Sequence, residues 1–142
     1  DIFGAVTAVL APLLLWVVAN WCLTTLFEGE GSMKDIFIAS CYCLTPLILL
    51  IFPSTLLSHV LAANEGGILT LMSSFAYLWL GILLVLGMMV THDYSVGKNL
   101  LNCLDTIVGM AFIMFIGILF TSLMAKIVMF ITQIVEEIAF RL

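Results

Sequence analysis

The chain has 142 residues, of which 64% are hydrophobic and 9% are charged, and its mean hydropathy is +1.30. A soluble domain carries roughly 25% charged residues, so this composition excludes an ordinary water-soluble globule and makes the lipid bilayer the expected solvent. The formal net charge of −5 argues against a basic surface for nucleic acid or for anionic lipid.

Four long apolar segments predict an all-α fold, a polytopic bundle of transmembrane helices. Each segment has about the length at which a helix crosses a hydrocarbon core of roughly 30 Å. Backbone polar groups cannot stay unpaired in lipid, and the sequence lacks the alternation of a membrane barrel, so the segments are expected to be helices. The predicted spans, all in a single domain of residues 1–142, are 2–27, 36–61, 68–91 and 100–125.

Prolines and the tail modify this simple picture. Pro46 and Pro53 lie seven residues apart in the second span, and each removes a backbone donor, so we predict two bends there. Residues 126–142 are more polar than the spans, yet no Gly or Pro separates them from the fourth one. We predict that this tail continues the last helix. The alternative is a helix that lies on the membrane surface.

The short connections 28–35 and 92–99 are predicted to lie on the same side of the membrane, because two spans separate them. Each contains one lysine, whereas the loop between the second and third spans has none. The inter-helix loops alone therefore place both connections in the cytoplasm, although Lys126 and Arg141 in the tail nearly balance the tally. Acid–base pairs could join the two loops, with Glu28, Lys34 and Asp35 of the first pairing with His92, Asp93 and Lys98 of the second.

The second of these loops resembles a nucleotide-binding loop only superficially. Gly97 and Lys98 are adjacent as in a P-loop, but His92 stands where the first glycine is required. Asn99 replaces the Ser or Thr that would hold magnesium. The sequence therefore excludes a P-loop.

Other chemistry in the loop is also weakly supported. His92 and Asp93 could join carboxylates of loop 28–35 around a divalent ion, but this side of the chain has no second histidine. Ser95 lies near both residues without a nucleophile-elbow motif. We expect no enzyme activity, no cofactor and no bound metal.

Asp105 is the one acidic residue within a predicted span. If the fourth helix begins near Lys98, then Lys98, Asn102 and Asp105 share one face, and Lys98 can extend to pair with Asp105. An intramembrane carboxyl group is a functional candidate by default. The alternative is an acid that only complements the helix dipole.

Two stretches of the sequence resemble the Yip1 family of polytopic membrane proteins. They are NWCLTTLFEGEGSMKDIFIASCYCLTP (20–46) and GMMVTHDYSVGKNLLNCLDTIVGM (87–110). The shared pattern has an Asn-Trp helix end, an acidic-Gly-x-Gly turn, Lys-Asp-Ile and a Tyr-x-Leu-x-Pro helix, followed later by His-x-Tyr-Ser-x-Gly-Lys. Its order and spacing match over about residues 16–120. The chain is most similar to the bacterial branch of the family.

The resemblance implies a five-helix membrane domain with a cytoplasmic N-terminus. With four spans here, it also implies a further helix upstream of this sequence, and it places loops 28–35 and 92–99 in the cytoplasm. Eukaryotic members bind Rab-type GTPases in vesicle transport. We do not transfer that binding to this chain, because it depends largely on cytosolic N-terminal regions that the sequence does not contain.

These observations lead to one main hypothesis, an integral scaffold or accessory protein of the bacterial cytoplasmic membrane. It would act through loops 28–35 and 92–99 and through lateral contacts with other membrane proteins or copies of itself. The alternatives are a transporter or channel component with a polar path around Asp105, and a metal-dependent membrane enzyme. The candidate functional residues are Glu28, Gly29, Gly31, Lys34, Asp35, His92, Tyr94, Ser95, Gly97, Lys98, Asn102 and Asp105.

Overall fold

The computed structural model describes residues 2–60 and 66–141, and every regular element in those ranges is an α-helix. Two of the helices, Met33–Cys43 and Thr45–Ser58, follow one another within one apolar segment, Met33–Ser58. The described chain therefore has four segments that are long and apolar enough to cross a membrane. The predicted all-α bundle with four spans is confirmed. The helices are α1 Ile2–Phe27, α2 Met33–Cys43, α3 Thr45–Ser58, α4 Gly66–His92 and α5 Val96–Arg141.

The second span is divided into two helices at Leu44, which ends α2 and precedes α3. Pro46 lies in the first turn of α3, where its missing N–H costs least. The Thr45 hydroxyl donates to the Tyr42 carbonyl at 2.7 Å, the carbonyl that Pro46 leaves without its usual helical donor. Of the two predicted bends, the first is thus a break between helices, whereas Pro53 lies inside α3.

A capping box begins the second span earlier than predicted. The Ser32 hydroxyl accepts from the Asp35 N–H at 3.3 Å, and the Asp35 carboxylate accepts from the Ser32 N–H at 3.1 Å. This reciprocal pair satisfies two free donors and starts the helix at Met33. The predicted end of the span, Leu61, lies outside the described residues.

Helix α5 has 46 residues and continues through the polar tail to Arg141, with Leu142 outside the described residues. At 1.5 Å per residue it is about 69 Å long, more than twice the thickness of a hydrocarbon core. No Gly or Pro follows Gly117, so the sequence contains no residue that would typically end or kink the helix there.

The bundle packs α3 mainly against α4 and α1 mainly against α5, while α2 contacts both α1 and α4. An apolar cluster of Val17, Ile36, Met88 and Cys103 forms the core near the loop end. Polar side chains are buried beside it, and large apolar side chains cover most of the outside, as suits a protein surrounded by lipid. The buried polar residues are Asn20, Ser40, His92, Asn99, Asn102 and Thr106.

Candidate functional site

Loops 28–35 and 92–99 meet at one end of the bundle, and both begin with the same helix-ending turn. The N–H groups of Gly29 and Tyr94 each bond to the carbonyl five residues earlier, at 3.0 and 3.1 Å. The residue before each, Glu28 and Asp93, has a positive φ of 53° and 54°. These are the features of a Schellman-type turn with an acidic residue at the left-handed position.

His92 joins the two loops and is only 2% exposed. Its Nδ1 accepts the N–H of Gly31 at 3.3 Å, and its Nε2 lies 2.8 Å from Oδ1 of Asn20. Because a backbone N–H can only donate, Nδ1 must be an acceptor and the proton belongs on Nε2. A neutral imidazole with one defined tautomer therefore connects loop 28–35, α4 and α1.

The hydrogen bonds continue from Asn20 into α5. The Asn20 amide donates to Oγ1 of Thr106 at 3.0 Å, and Thr106 donates to the carbonyl of Asn102 at 2.6 Å. All of these donors point the same way along the chain of bonds. A buried polar network of this kind fixes the register of the segments that it joins.

Tyr94 forms the second part of the junction between the loops. Its ring stacks on the His92 ring with 5.0 Å between centroids and 18° between planes, and Nζ of Lys98 lies 5.0 Å from the Tyr94 centroid. Burial raises the pKa of the Tyr94 hydroxyl above its usual value, so the phenol is neutral at pH 7. Within the described parts of the chain, this hydroxyl has no hydrogen-bond partner.

The two glycines of loop 28–35 allow the rings to come this close. A Cβ atom on Gly29 would overlap the Tyr94 hydroxyl and would lie 2.6 Å from Nδ1 of His92. A Cβ atom on Gly31 would lie 2.9 Å from the same nitrogen and 2.8 Å from Cγ2 of Thr91. Real Cβ atoms essentially never approach so closely, so the loop packs here because both residues lack a side chain.

The buried face of α5 includes Asn102 but not Lys98 or Asp105, which were predicted to share a face with it. Asn99, Asn102, Cys103 and Thr106 are buried. At about 100° per residue, the positions of Lys98 and Asp105 lie roughly a quarter turn from the centre of this face. Asp105 is exposed, and Lys98 contacts the Tyr94 ring instead, so the predicted ion pair between Lys98 and Asp105 is not formed.

The predicted ion pairs between the loops are also not formed. The Asp35 carboxylate bonds to Ser32 of its own loop. In the ranges 2–60 and 66–141, the ion pair that is present joins Arg141 to Glu137 at 3.0 Å, far from the loops. The loops therefore contact each other through glycine backbone and aromatic rings, not through opposite charges.

The other candidate residues lie at the edge of this junction. Lys34 and Ser95 are exposed, and the Ser95 carbonyl accepts the N–H of Asn99 at 2.9 Å in the first turn of α5. Gly97 has open space around its Cα. No three potential metal ligands cluster among the described residues. Asp105 is exposed on the outside of the bundle, so it does not line a polar path, and no observation favours the transport hypothesis.

The comparison with protein families agrees with this architecture. The model of the Yip1 domain matches residues 2–119. The chain belongs to the Yip1 family. The matched region includes α1 to α4, the first half of α5 and the whole junction between the loops, and a Yip1 protein with four apolar spans is an integral, multi-pass membrane protein. No curated protein and no solved structure matches the chain.

Three residues of the junction were not among the candidates predicted from the sequence, namely Asn20, Asn99 and Thr106. Each carries an amide or a hydroxyl at a position that is buried in the bundle. The available signal was a polar side chain within or beside an apolar span, because such a group is costly in lipid unless it is bonded. What the sequence could not provide was which of these groups face one another.

Proposed function

We propose that this Yip1-domain chain is a non-enzymatic membrane scaffold whose loops 28–35 and 92–99 form one docking surface on the cytoplasmic side. We call the exposed residues of the two loops the docking surface. The observation that carries the proposal is the pair of bonds made by His92, to the N–H of Gly31 and to Asn20. They hold two loops that are distant in sequence in one fixed arrangement.

A fixed arrangement favours recognition of a partner. A surface that is ordered before binding loses less conformational entropy when the partner docks. Loop 28–35 is held by the capping box at Ser32 and by the close approach of Gly29 and Gly31 to the rings. Loop 92–99 is held by the stacked His92 and Tyr94.

The charges of the docking surface indicate the kind of partner. The two loops carry four carboxylates and two ammonium groups, which leaves a formal charge of −2. Met33 and Val96 add apolar side chains that are 42% and 73% exposed. This combination fits a basic segment with a few apolar residues, next to the membrane on another protein. The charged residues are Glu28, Glu30, Asp35 and Asp93 together with Lys34 and Lys98.

The role of the titratable groups supports a scaffold more than an enzyme. Both ring nitrogens of His92 are already bonded within the protein, so neither is free to move a proton to or from a substrate. Tyr94 is buried beneath Gly29. The imidazole at this end of the bundle is therefore used to hold the loops together.

In-cell photo-crosslinking tests this proposal. A benzophenone amino acid at Glu30, on the docking surface, is expected to give a discrete protein adduct, whereas the same amino acid at Ser58, at the end of α3, gives none of that mass. Raising the salt concentration in isolated membranes before irradiation should weaken the adduct, because exposed charges are screened.

A second variant tests whether the adduct formed at position 30 depends on the arrangement of the two loops. Gly31→Ala should reduce the Glu30 adduct several-fold by displacing loop 28–35 from His92. If Glu30 yields only lipid adducts, or if the adduct is unchanged in Gly31→Ala, the docking surface has no such role.

A further inference from the structure

Asp105 is an exposed carboxyl group at a depth where the surroundings are lipid. It is the tenth residue of α5, about 14 Å along the axis from the start of that helix. Its neighbour Thr106 is bonded to Asn20, which lies seven residues, or about 10 Å, before the end of α1. Both measures place Asp105 well below the loops.

The depth can be compared with the membrane. Helices α1 and α4 have 26 and 27 residues and are about 40 Å long, whereas the hydrocarbon core is about 30 Å thick. About 5 Å of each helix end therefore lies outside the core. Asp105 is then about 5 to 9 Å inside the hydrocarbon, which is too far for a short side chain to reach water.

The interactions that could make this position favourable are not present within the chain. The helix dipole acts mainly on the first turn, and Asp105 lies in the third. Lys98 contacts the Tyr94 ring, and across residues 2–60 and 66–141 no group bonds to the Asp105 carboxyl. A carboxyl group within a membrane normally pairs with another polar or charged group, which points to a partner outside the described residues.

We propose that the face of α5 around Asp105 binds a transmembrane helix that lies outside residues 1–142 and carries a Lys or Arg at this depth. The Asp105 face consists of Leu101, Asp105, Val108 and Phe112, which recur at helical spacing; the three apolar residues are 58%, 67% and 63% exposed. The apolar side chains provide the packing surface and the carboxyl group selects a helix with a cation. This proposal rests on the proposed function in one respect, that the chain binds a partner in the membrane.

The cations of residues 1–142 do not lie at the depth of Asp105 in a second copy that packs side by side. In a copy with the same orientation, Lys34 lies at the loop end and Lys98 about 10 Å nearer to it than Asp105. Lys126 and Arg141 lie about 32 Å or more farther along α5. These four are all the Lys and Arg residues of the sequence, and none has the depth of Asp105.

Synthetic transmembrane peptides provide a direct test. The full chain is reconstituted into phosphatidylcholine vesicles with a dansyl-labelled helix of about 20 apolar residues, which either carries one Arg at the depth of Asp105 or is identical but has Leu there. Energy transfer from the protein's tryptophans to the dansyl group measures association. Trp21 suits this purpose because it lies next to Asn20, close to the depth of Asp105.

We expect the Arg peptide to associate about ten-fold more tightly than the Leu peptide. Asp105→Asn should remove that preference, and Asp93→Asn, which changes a loop carboxyl group, should keep it. Equal association of both peptides with the unchanged chain overturns the proposal, as does an undiminished preference in Asp105→Asn.

These outcomes are independent of the docking surface. The peptides carry no aqueous basic segment, and the Glu30 crosslink reports on the loops without involving α5. Either proposal can therefore fail while the other stands.

Discussion

Nε2 of His92 donates a hydrogen bond to Oδ1 of Asn20 at 2.8 Å, across 72 residues of sequence. This bond joins the end of α4 to α1. The other nitrogen of the same ring, Nδ1, accepts the N–H of Gly31 in loop 28–35. We expect His92→Ala to lower the free energy of unfolding by about 2–6 kcal/mol, because Asn20 and Gly31 each lose a buried partner at about 1–3 kcal/mol apiece. Unfolding in detergent measures the loss.

A matched control for this variant is His59→Ala. His59 is exposed and its Nδ1 lies 2.9 Å from the Thr55 carbonyl of its own turn, so the change should be within about 0.5 kcal/mol. Equal effects of the two variants would contradict a structural role for the His92 bonds.

Gly31→Ala is expected to destabilise the protein by about 1–3 kcal/mol, because the new methyl group would overlap the His92 ring and the Thr91 side chain. The matched change Gly81→Ala lies within α4, where nothing surrounds the Cα. It should stabilise the helix by about 0.5–1 kcal/mol. Thermal unfolding of the two variants in the same detergent would show opposite shifts, and a shift in the same direction would refute the close-packing argument.

Asp93→Gly is expected to stabilise the fold. Asp93 has a φ of 54°, a left-handed conformation that costs an L-residue about 1–2 kcal/mol, and its carboxylate lies at the unfavourable end of the α4 dipole. We expect a gain of about 1 kcal/mol in the free energy of unfolding, and a similar gain for Glu28→Gly.

The control for these variants is Lys34→Gly inside α2, which should lose about 1 kcal/mol because glycine is a poor helix former. If Asp93→Gly and Glu28→Gly stabilise the protein but weaken the Glu30 crosslink, the two acids are kept for binding at the expense of stability. Destabilisation by either change would show that the carboxylates make contacts absent from the described structure.

Asn102→Leu tests an unusual buried amide. Asn102 is 1% exposed, and neither its nitrogen nor its oxygen has a partner among the described residues. An apolar side chain of similar size should stabilise the bundle by about 1–2 kcal/mol, because burying an unbonded amide is costly. Asn99→Leu should do the opposite, since the Asn99 amide donates to the Val85 carbonyl at 2.7 Å.

Chemical denaturation of both variants decides this prediction. A loss of stability in Asn102→Leu similar to that in Asn99→Leu would mean that a bound water or another polar group satisfies the Asn102 amide.

The sequence predicted the four spans because hydropathy over about 20 residues directly reflects the thickness of the membrane. It predicted loop ends less well. Local hydrogen bonds set those ends, as when Ser32 and Asp35 start α2 at Met33. The break at Leu44 was predicted as a bend, because Pro46 indicates a missing donor but not whether the helix restarts around it.

The junction between the loops was predicted only in part. His92, Tyr94 and the glycines were among the candidate residues, but the contacts suggested between the loops were ion pairs of their charged residues, since charge is easily seen in a sequence and ring packing is not. The sequence placed Lys98, Asn102 and Asp105 on one face of α5, and of these three the structure buries Asn102 alone. In a membrane helix both faces are apolar, so the pattern of hydrophobic residues does not show which face packs against protein.

The length of α5 has a mechanical consequence. One unbroken helix begins at Val96 beside the rings of His92 and Tyr94 and ends at Arg141, on the opposite side of the membrane. A rigid rod cannot be tilted or rotated at one end without moving the other. We therefore expect a partner that shifts the loops to displace the far end of α5 as well. A force on that far end would in turn act on the loops.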